Sequence, residues 1–201
     1  MKKIILHLCV KSGSDSKPYK DAGYEIIYVD KKIGVENFIP PPEVYGVIAN
    51  PVCKNFSTAN YNVEKDEAKG LMMVTQCLEI IKKCNPIFWI LENPATGTLH
   101  KWMGKPKFIY QPWEFGSPWT KKTALWGNFN IPEKKYIKWE DVPKIDGLYT
   151  RPGRPKPSLA FMHKSHKKFI REFDCFTVEN DMDFRSLCSQ GFAKAFFKVN
   201  K

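Results

Sequence analysis

"VEKDEAKGLMMVTQCLEIIKKCNPIFWILENP", residues 63–94, joins two kinds of periodicity across one short turn. Leu71, Val74, Leu78 and Ile81 recur at the spacing of an amphipathic helix. Acidic residues lead the segment and lysines close it, which suits the helix dipole at both ends. The spacing predicts a helix through Asn85. "PIFWILENP", residues 86–94, is apolar without alternation and ends in a polar turn. That is the pattern of a strand buried on both faces.

The same alternation extends upstream. "KKIILHLC" (2–9) reads as a buried strand, and "VKSGSDS" (10–16) as a turn centred on Gly13. "SKPYKDAGY" (16–24) reads as a short helix with Ser16 or Asp15 as N-cap and Gly23 as its stop. "YEIIYVD" (24–30) and "GVIAN" (46–50) are two further strands, separated by a connector broken at Pro40, Pro41 and Pro42. Downstream, "TALWGNFNI" (123–131) is a weaker strand and "GFAKAFFKV" (191–199) a short helix. Strands alternating with helices predict an α/β domain with a largely parallel sheet. Ligands of such sheets bind beyond the carboxyl ends of the strands. The turns at Gly13, Asp30, Cys53 and Glu92 all follow strands, so they are expected on one rim.

With 201 residues the chain can bury a substantial core, and its formal net charge of +11 favours a polyanionic partner such as nucleic acid. A lysine-rich solvated surface is the plainer reading of the same charge. None of the six cysteines forms a C-x-x-C pair, so no metal site is expected. The apolar run near the N-terminus is too short to cross a membrane and lacks a small-residue cleavage site. The expectation is a soluble protein of a reducing compartment, the cytoplasm. Between residues 128 and 184 the chain turns basic, proline-bearing and aromatic-studded.

Several residues have chemistry to offer. Cys53, at a strand end beside Lys54, is either a small buried hydrophobe or an activated nucleophile. Glu92 is either a turn carboxylate or a desolvated acid. The Gly13 loop suits close approach by a nucleotide-bearing ligand, and Asp30 either binds ribose hydroxyls or caps a turn. His163 and His166 have metal-pair spacing but lie among lysines with no acid near in sequence, which favours surface or phosphate-facing roles.

Taken together and in order, these segments resemble the cytosine-5 DNA methyltransferases, most of all the short phage and prophage type. "LHLCVKSGSDSKPYKDAGYEIIYVD" is similar to that family's first strand, cofactor loop, helix and second strand. "GVIANPVCKNFSTAN" is similar to its catalytic block, "FWILENPATGTLHKWMGKP" to its Glu-Asn-Pro block, "PWEFGSPWTKKTALWGNFNIP" to the block before target recognition, and "RSLCSQGFAKAFFKVN" to the closing block. The resemblance implies a Rossmann-like S-adenosylmethionine (SAM) methyltransferase fold with a mostly parallel sheet flanked by helices. It places a catalytic core at 1–127, a small recognition region at 128–184 and a returning segment at 185–201. It implies that Cys53 adds to a cytosine flipped from double-stranded DNA and that Glu92 holds the base edge. Ser57, Asn93 and Pro94 would shape the base pocket, with Lys121 and Lys122 near the base or its phosphate. Cys9, Ser12, Gly13, Ser14, Asp30 and Asn50 would line the cofactor site.

The sequence departs from the family pattern mainly around the cofactor. Lys11 stands where the loop's first glycine is expected, His7 where an acid is, and Gly34 where an aspartate is. Pro-Val-Cys replaces Pro-Pro-Cys, Lys54 follows the cysteine in place of threonine, and Cys188-Ser189 replaces Thr-Pro. The Lys11 side chain is expected to crowd the methionine part of the cofactor. These departures carry the alternative expectation: a methyltransferase-fold protein that binds DNA or a host protein without using SAM.

Overall fold

The structure is a computed structural model, and it describes residues 2–57 and 65–201. The start of the expected helix at Val63 and the end of the "STAN" stretch lie outside the described residues. The elements run β1 (Ile4–Leu8), α1 (Lys17–Asp21), β2 (Glu25–Val29), β3 (Gly46–Ala49), α2 (Glu67–Cys84), β4 (Phe88–Pro94), α3 (His100–Met103), β5 (Phe108–Tyr110), β6 (Thr123–Asn128), α4 (Asp181–Ser186) and α5 (Gln190–Val199). They form one six-stranded sheet in the order β2-β1-β3-β4-β6-β5. Strands β1 to β4 are parallel; β6 is antiparallel to β4 and to β5. This is the expected α/β, Rossmann-like class. The order places β1 between β2 and β3, so the chain leaves β1 in opposite directions on its two sides, the switch point at which such sheets open a crevice.

Each strand serves two cores because successive side chains alternate between faces. Leu6, Leu8, Val47, Ala49 and Leu91 pack against Val74, Cys77 and Ile81 of α2. Ile5, Ile48, Phe88 and Ile90 pack on the other face against Phe192 and Phe196 of α5. Helix α2 is fixed at both ends. The Asp66 side chain accepts from the Lys69 amide, and Asn85 turns left-handed at φ 42° to stop the helix.

Three elements lie where the sequence predicts none: α3, the three-residue β5, and α4. The region 128–184 is largely irregular, punctuated by four short 3-10 turns before α4 begins. Its apolar residues form a third core in which Leu159, Met162, Ile170 and Phe173 close around Trp119, Phe184 and Leu187. Ser16 takes the N-cap position of α1, but its hydroxyl makes no capping bond.

Candidate active site

On the α5 side of the sheet three adjacent strands each change from apolar to polar, β1 one step earlier in register than β3 and β4. Ile5 is followed two residues later by His7, Ile48 by Asn50 and Ile90 by Glu92. The three isoleucines belong to the α5-side core, and two-residue alternation puts the polar residues on that same face, at the carboxyl end of the sheet. His7 is fully buried. Burial holds its ring below the usual histidine range, so the ring is neutral. Its Nε2–H donates to Asn50 Oδ1 at 2.8 Å, and Nδ1 faces the Ser16 hydroxyl at 2.9 Å. Asn50 Nδ2–H donates to Glu92 Oε2 at 3.4 Å.

Glu92 is pulled two ways. Burial raises its pKa, while the Lys121 charge lowers it, Asp15 raises it and the Asn50 bond lowers it. Cys53 has exposed surface, but its thiol is crowded by protein and desolvation pushes its pKa up. The Glu92 charge pushes it further, and Lys121 opposes both. Two acids therefore share one cation. When Glu92 holds its proton, the repulsion that disfavours the Cys53 thiolate is gone.

The Cys53 turn is held from several sides. Asn93 Nδ2–H donates to the Pro51 carbonyl at 3.1 Å, tying β4 to the segment before the cysteine. The amides of Phe56 and Ser57 donate to the Cys53 carbonyl at 3.0 and 2.8 Å. The Phe56 carbonyl in turn accepts from the Thr98 amide at 2.9 Å. The Lys121 ammonium reaches the carbonyls of Ser186 and Leu187 at 3.5 and 3.4 Å, while Lys122 is exposed. Pro94 ends β4, paired with Thr123.

The loop after β1 is bonded into the C-terminal segment. Ser14 Oγ accepts from the Cys188 amide at 2.9 Å, and the Ser14 carbonyl accepts from Gln190 Nε2 at 3.0 Å. Ser12 and Ser14 hydroxyls meet at 2.8 Å. Lys11 holds Asp183 of α4 at 2.8 Å. The expected crowding by Lys11 thus meets a different geometry, because its ammonium is engaged by an acid far along the chain. Cys9 lies 3.7 Å, sulfur to sulfur, from Cys77, a contact with α2. Asp30 Oδ1 accepts from the amides of Lys32 and Ile33, closing its own turn.

The residues that the resemblance implies for a cofactor lie in the loop after β1 and at the ends of β2 and β3. Gly13 has φ +70°, and a Cβ there would stand 3.1 Å from the Tyr28 ring. The Tyr28 ring therefore packs against the buried Gly13 backbone, with the Asp30 carboxylate at the end of the next strand.

Among solved structures, the chain is similar to one provisionally described as a DNA modification methyltransferase encoded within a prophage (E. coli). The two are 15% identical with a TM-score of 0.47, over 71% of this chain and 51% of the other, so this chain spans about half that protein's length. Neither a protein-family model nor a curated protein matches the sequence.

Sequence reasoning assigned Asn50 to the cofactor and gave His7 no role in catalysis. The signal lay in the three strands: isoleucine, one residue, then a polar residue, in each of them. His163, thought to lack an acidic neighbour, bonds Asp181 at 2.8 Å. No helix among the described residues is long and apolar enough to cross a membrane.

Proposed function

We propose that this protein is a cytosine-5 DNA methyltransferase in which Cys53 is the nucleophile and Glu92 the group that holds the base. The observation that carries the reading is geometric: Cys53 follows the carboxyl end of β3 and Glu92 lies near that of its parallel neighbour β4, the two tied by the Asn93 bond to the Pro51 carbonyl at 3.1 Å, and Lys121 acts on both side chains. A cytosine inside a duplex is out of reach, so the base is flipped into the site. Glu92, whose proton burial helps to hold, donates to N3 and prevents negative charge from building on the ring. With that proton in place, Lys121 favours the Cys53 thiolate, which adds to C6. C5 becomes nucleophilic, takes the methyl group, loses its proton to a base, and Cys53 leaves. Asn93 fixes the turn that aims Cys53, and Ser57 and Pro94 border the base.

SAM supplies an electrophilic methyl group when bound. The loop at Ser12 and Gly13, the Tyr28 ring packed on it, and Asp30 would hold it. Ser14 and Cys9 would support that wall from behind, since their side chains bond Cys188 and Cys77.

The DNA side of the reading rests on charge and shape. A cavity of about 300 Å³ is lined by Tyr149, Arg151, Arg154, Lys156, Ser158 and Phe161. Arg151 lies 4.4 Å from the Phe161 ring centre. Thr120 also lines the cavity and pairs with Ser158; the residue after it, Lys121, is the one whose charge acts on Cys53. Cations interleaved with aromatic rings suit phosphates and unstacked bases.

The test is exchange of tritium from C5 of cytosine in DNA. Addition and elimination of Cys53 alone cause it, so no cofactor is required. Wild-type exchange that vanishes in Cys53→Ala supports the reading; exchange that survives the substitution refutes it. A second reading, DNA or host-protein binding without SAM, is favoured by one observation: Lys11 and Ser14 of the loop are already bonded to 183–190. Calorimetry with SAM, on wild type and Lys11→Gly, separates the two. Binding by the wild type supports the enzyme, and binding only by the glycine variant supports the second reading.

A further inference from the structure

We infer that His7 is a positioning residue that acts on Glu92 through Asn50. This rests on the methyltransferase reading for its catalytic consequence, but not for its geometry. The chain of contacts is continuous and directional. The Ser16 hydroxyl stands 2.9 Å from His7 Nδ1 and 3.2 Å from the Gly13 carbonyl, which compete for its one proton; from the ring onward the direction is set, with His7 Nε2–H donating to Asn50 Oδ1 and Asn50 Nδ2–H donating to Glu92 Oε2. A primary amide has one acceptor oxygen and one donor nitrogen. With its oxygen held by His7, Asn50 has a single orientation, and that orientation turns its N–H groups toward Glu92.

His7 cannot be a nucleic-acid ligand or a metal ligand in this position. It is 1% exposed, and both ring nitrogens are occupied. A buried polar ring without a purpose is costly, since leucine at the same site would extend the α5-side core already present at Ile5. Its neighbours in register are Tyr28 on β2 and Ile48 on β3, and the Tyr28 ring lies 6.0 Å from the imidazole. The imidazole is therefore walled on both sides, which fixes its plane. The other charged or titratable groups that act on Glu92 are Lys121 and Asp15; Glu92 itself acts on Cys53, Tyr110 and Cys188. His7 reaches this cluster only through Asn50.

The relay has a defined chemical effect. An N–H directed at a carboxylate favours the ionised form. His7 thus sets how readily Glu92 gives and takes the proton that the base needs at N3. Loss of the imidazole frees Asn50 to rotate, and the Glu92 carboxyl is then left to burial and the Lys121 and Asp15 charges.

The experiment compares His7→Phe with His7→Gln. Glutamine keeps an N–H near the Nε2 position; phenylalanine keeps the ring and removes both nitrogens. The first readout is the Glu92 carboxyl titration by carbon-13 NMR, assigned by the signal missing in Glu92→Gln. His7→Phe is expected to raise the midpoint by roughly one pH unit, and His7→Gln to restore it to near wild type. The second readout is kcat against KM for methyl transfer. Phenylalanine is expected to lower kcat about tenfold with KM nearly unchanged, and to move the pH profile with the Glu92 midpoint. An unchanged Glu92 midpoint in folded His7→Phe overturns the inference, as does equal loss in both variants. Should wild type transfer no methyl group, the proposed function fails, and the titration still decides the relay. If phenylalanine does not fold, Asn50→Leu provides the same titration test from the middle of the chain.

Discussion

Gly70→Ala sets helix propensity against packing, and the outcome reports on the Cys53 turn. Gly70 lies in the first turn of α2, where alanine gains about 1 kcal/mol over glycine from backbone entropy. A Cβ at this position would stand 2.7 Å from Phe56 Cζ, 3.0 Å from Phe56 Cε2 and 3.1 Å from Asn55 Cβ. The Phe56 ring has no room to yield, because it is fully buried in the α2-side core. Forcing it aside costs about 1–3 kcal/mol as overpacking, so the net change is a destabilisation of ~0–2 kcal/mol. The displacement does not stop at the ring. The Phe56 and Ser57 amides hold the Cys53 carbonyl, while the Thr98 amide holds the Phe56 carbonyl from the other side. The assay is urea unfolding together with the rate of Cys53 alkylation in a protein whose other exposed cysteine, Cys175, is replaced by serine. The expected result is a lower midpoint and an altered Cys53 rate. A rise in stability of about 1 kcal/mol with unchanged alkylation would show that Phe56 does not couple α2 to the turn, and would refute the packing argument.

Glu92→Gln removes the charge that pushes the Cys53 thiol up, so the pH midpoint of Cys53 alkylation should fall; Lys121→Met should raise it. His7 is neutral in the folded protein and titrates near 6.5 when unfolded. As pH drops below that value the unfolded chain gains a proton that the folded one refuses, so stability falls, and His7→Gln should flatten this part of the stability–pH curve. Glu92 has the opposite slope, because its raised folded pKa makes the native state take a proton first. The difference between wild type and His7→Gln isolates the histidine. Arg151→Ala with Arg154→Ala should reduce the slope of log affinity for DNA against log salt by about 1.8, if each arginine meets one phosphate. An unchanged slope would remove that cavity from the DNA interface.

Local patterns carried most of the fold. The apolar runs at 4–8, 25–29 and 88–94 formed strands, and the amphipathic pattern before Asn85 formed α2, because burial and period act over a few residues. Strand β6 was read as a strand at 123–131, but its reversal and its place between β4 and β5 were not legible. Strand order is a long-range property, and three-residue β5 has too little sequence to show alternation. Helix α4 escaped notice although Asn180 and Asp183 form a capping box, because few apolar residues follow. Side-chain partners were the least legible. Lys11 pairs with Asp183, His163 with Asp181, and Ser16 turns from a cap to His7, each across a distance that no window spans. Cys53 and Glu92 were singled out from their strand ends, but the residues linking Glu92 to the first strand emerged only when three strands lay side by side.

The third core constrains how this protein can be re-engineered. Trp119 enters the sequence before the basic stretch, and Phe184 and Leu187 close it, yet all three pack with Leu159, Met162 and Phe173. A splice that exchanged residues 128–184 for a foreign segment would leave the Trp119 indole and the Leu187 side chain without their neighbours. A chimera would therefore have to import matching shapes for both flanks. If the proposed DNA reading holds, target preference would be retuned by substitutions at the arginine-lined surface rather than by transplantation.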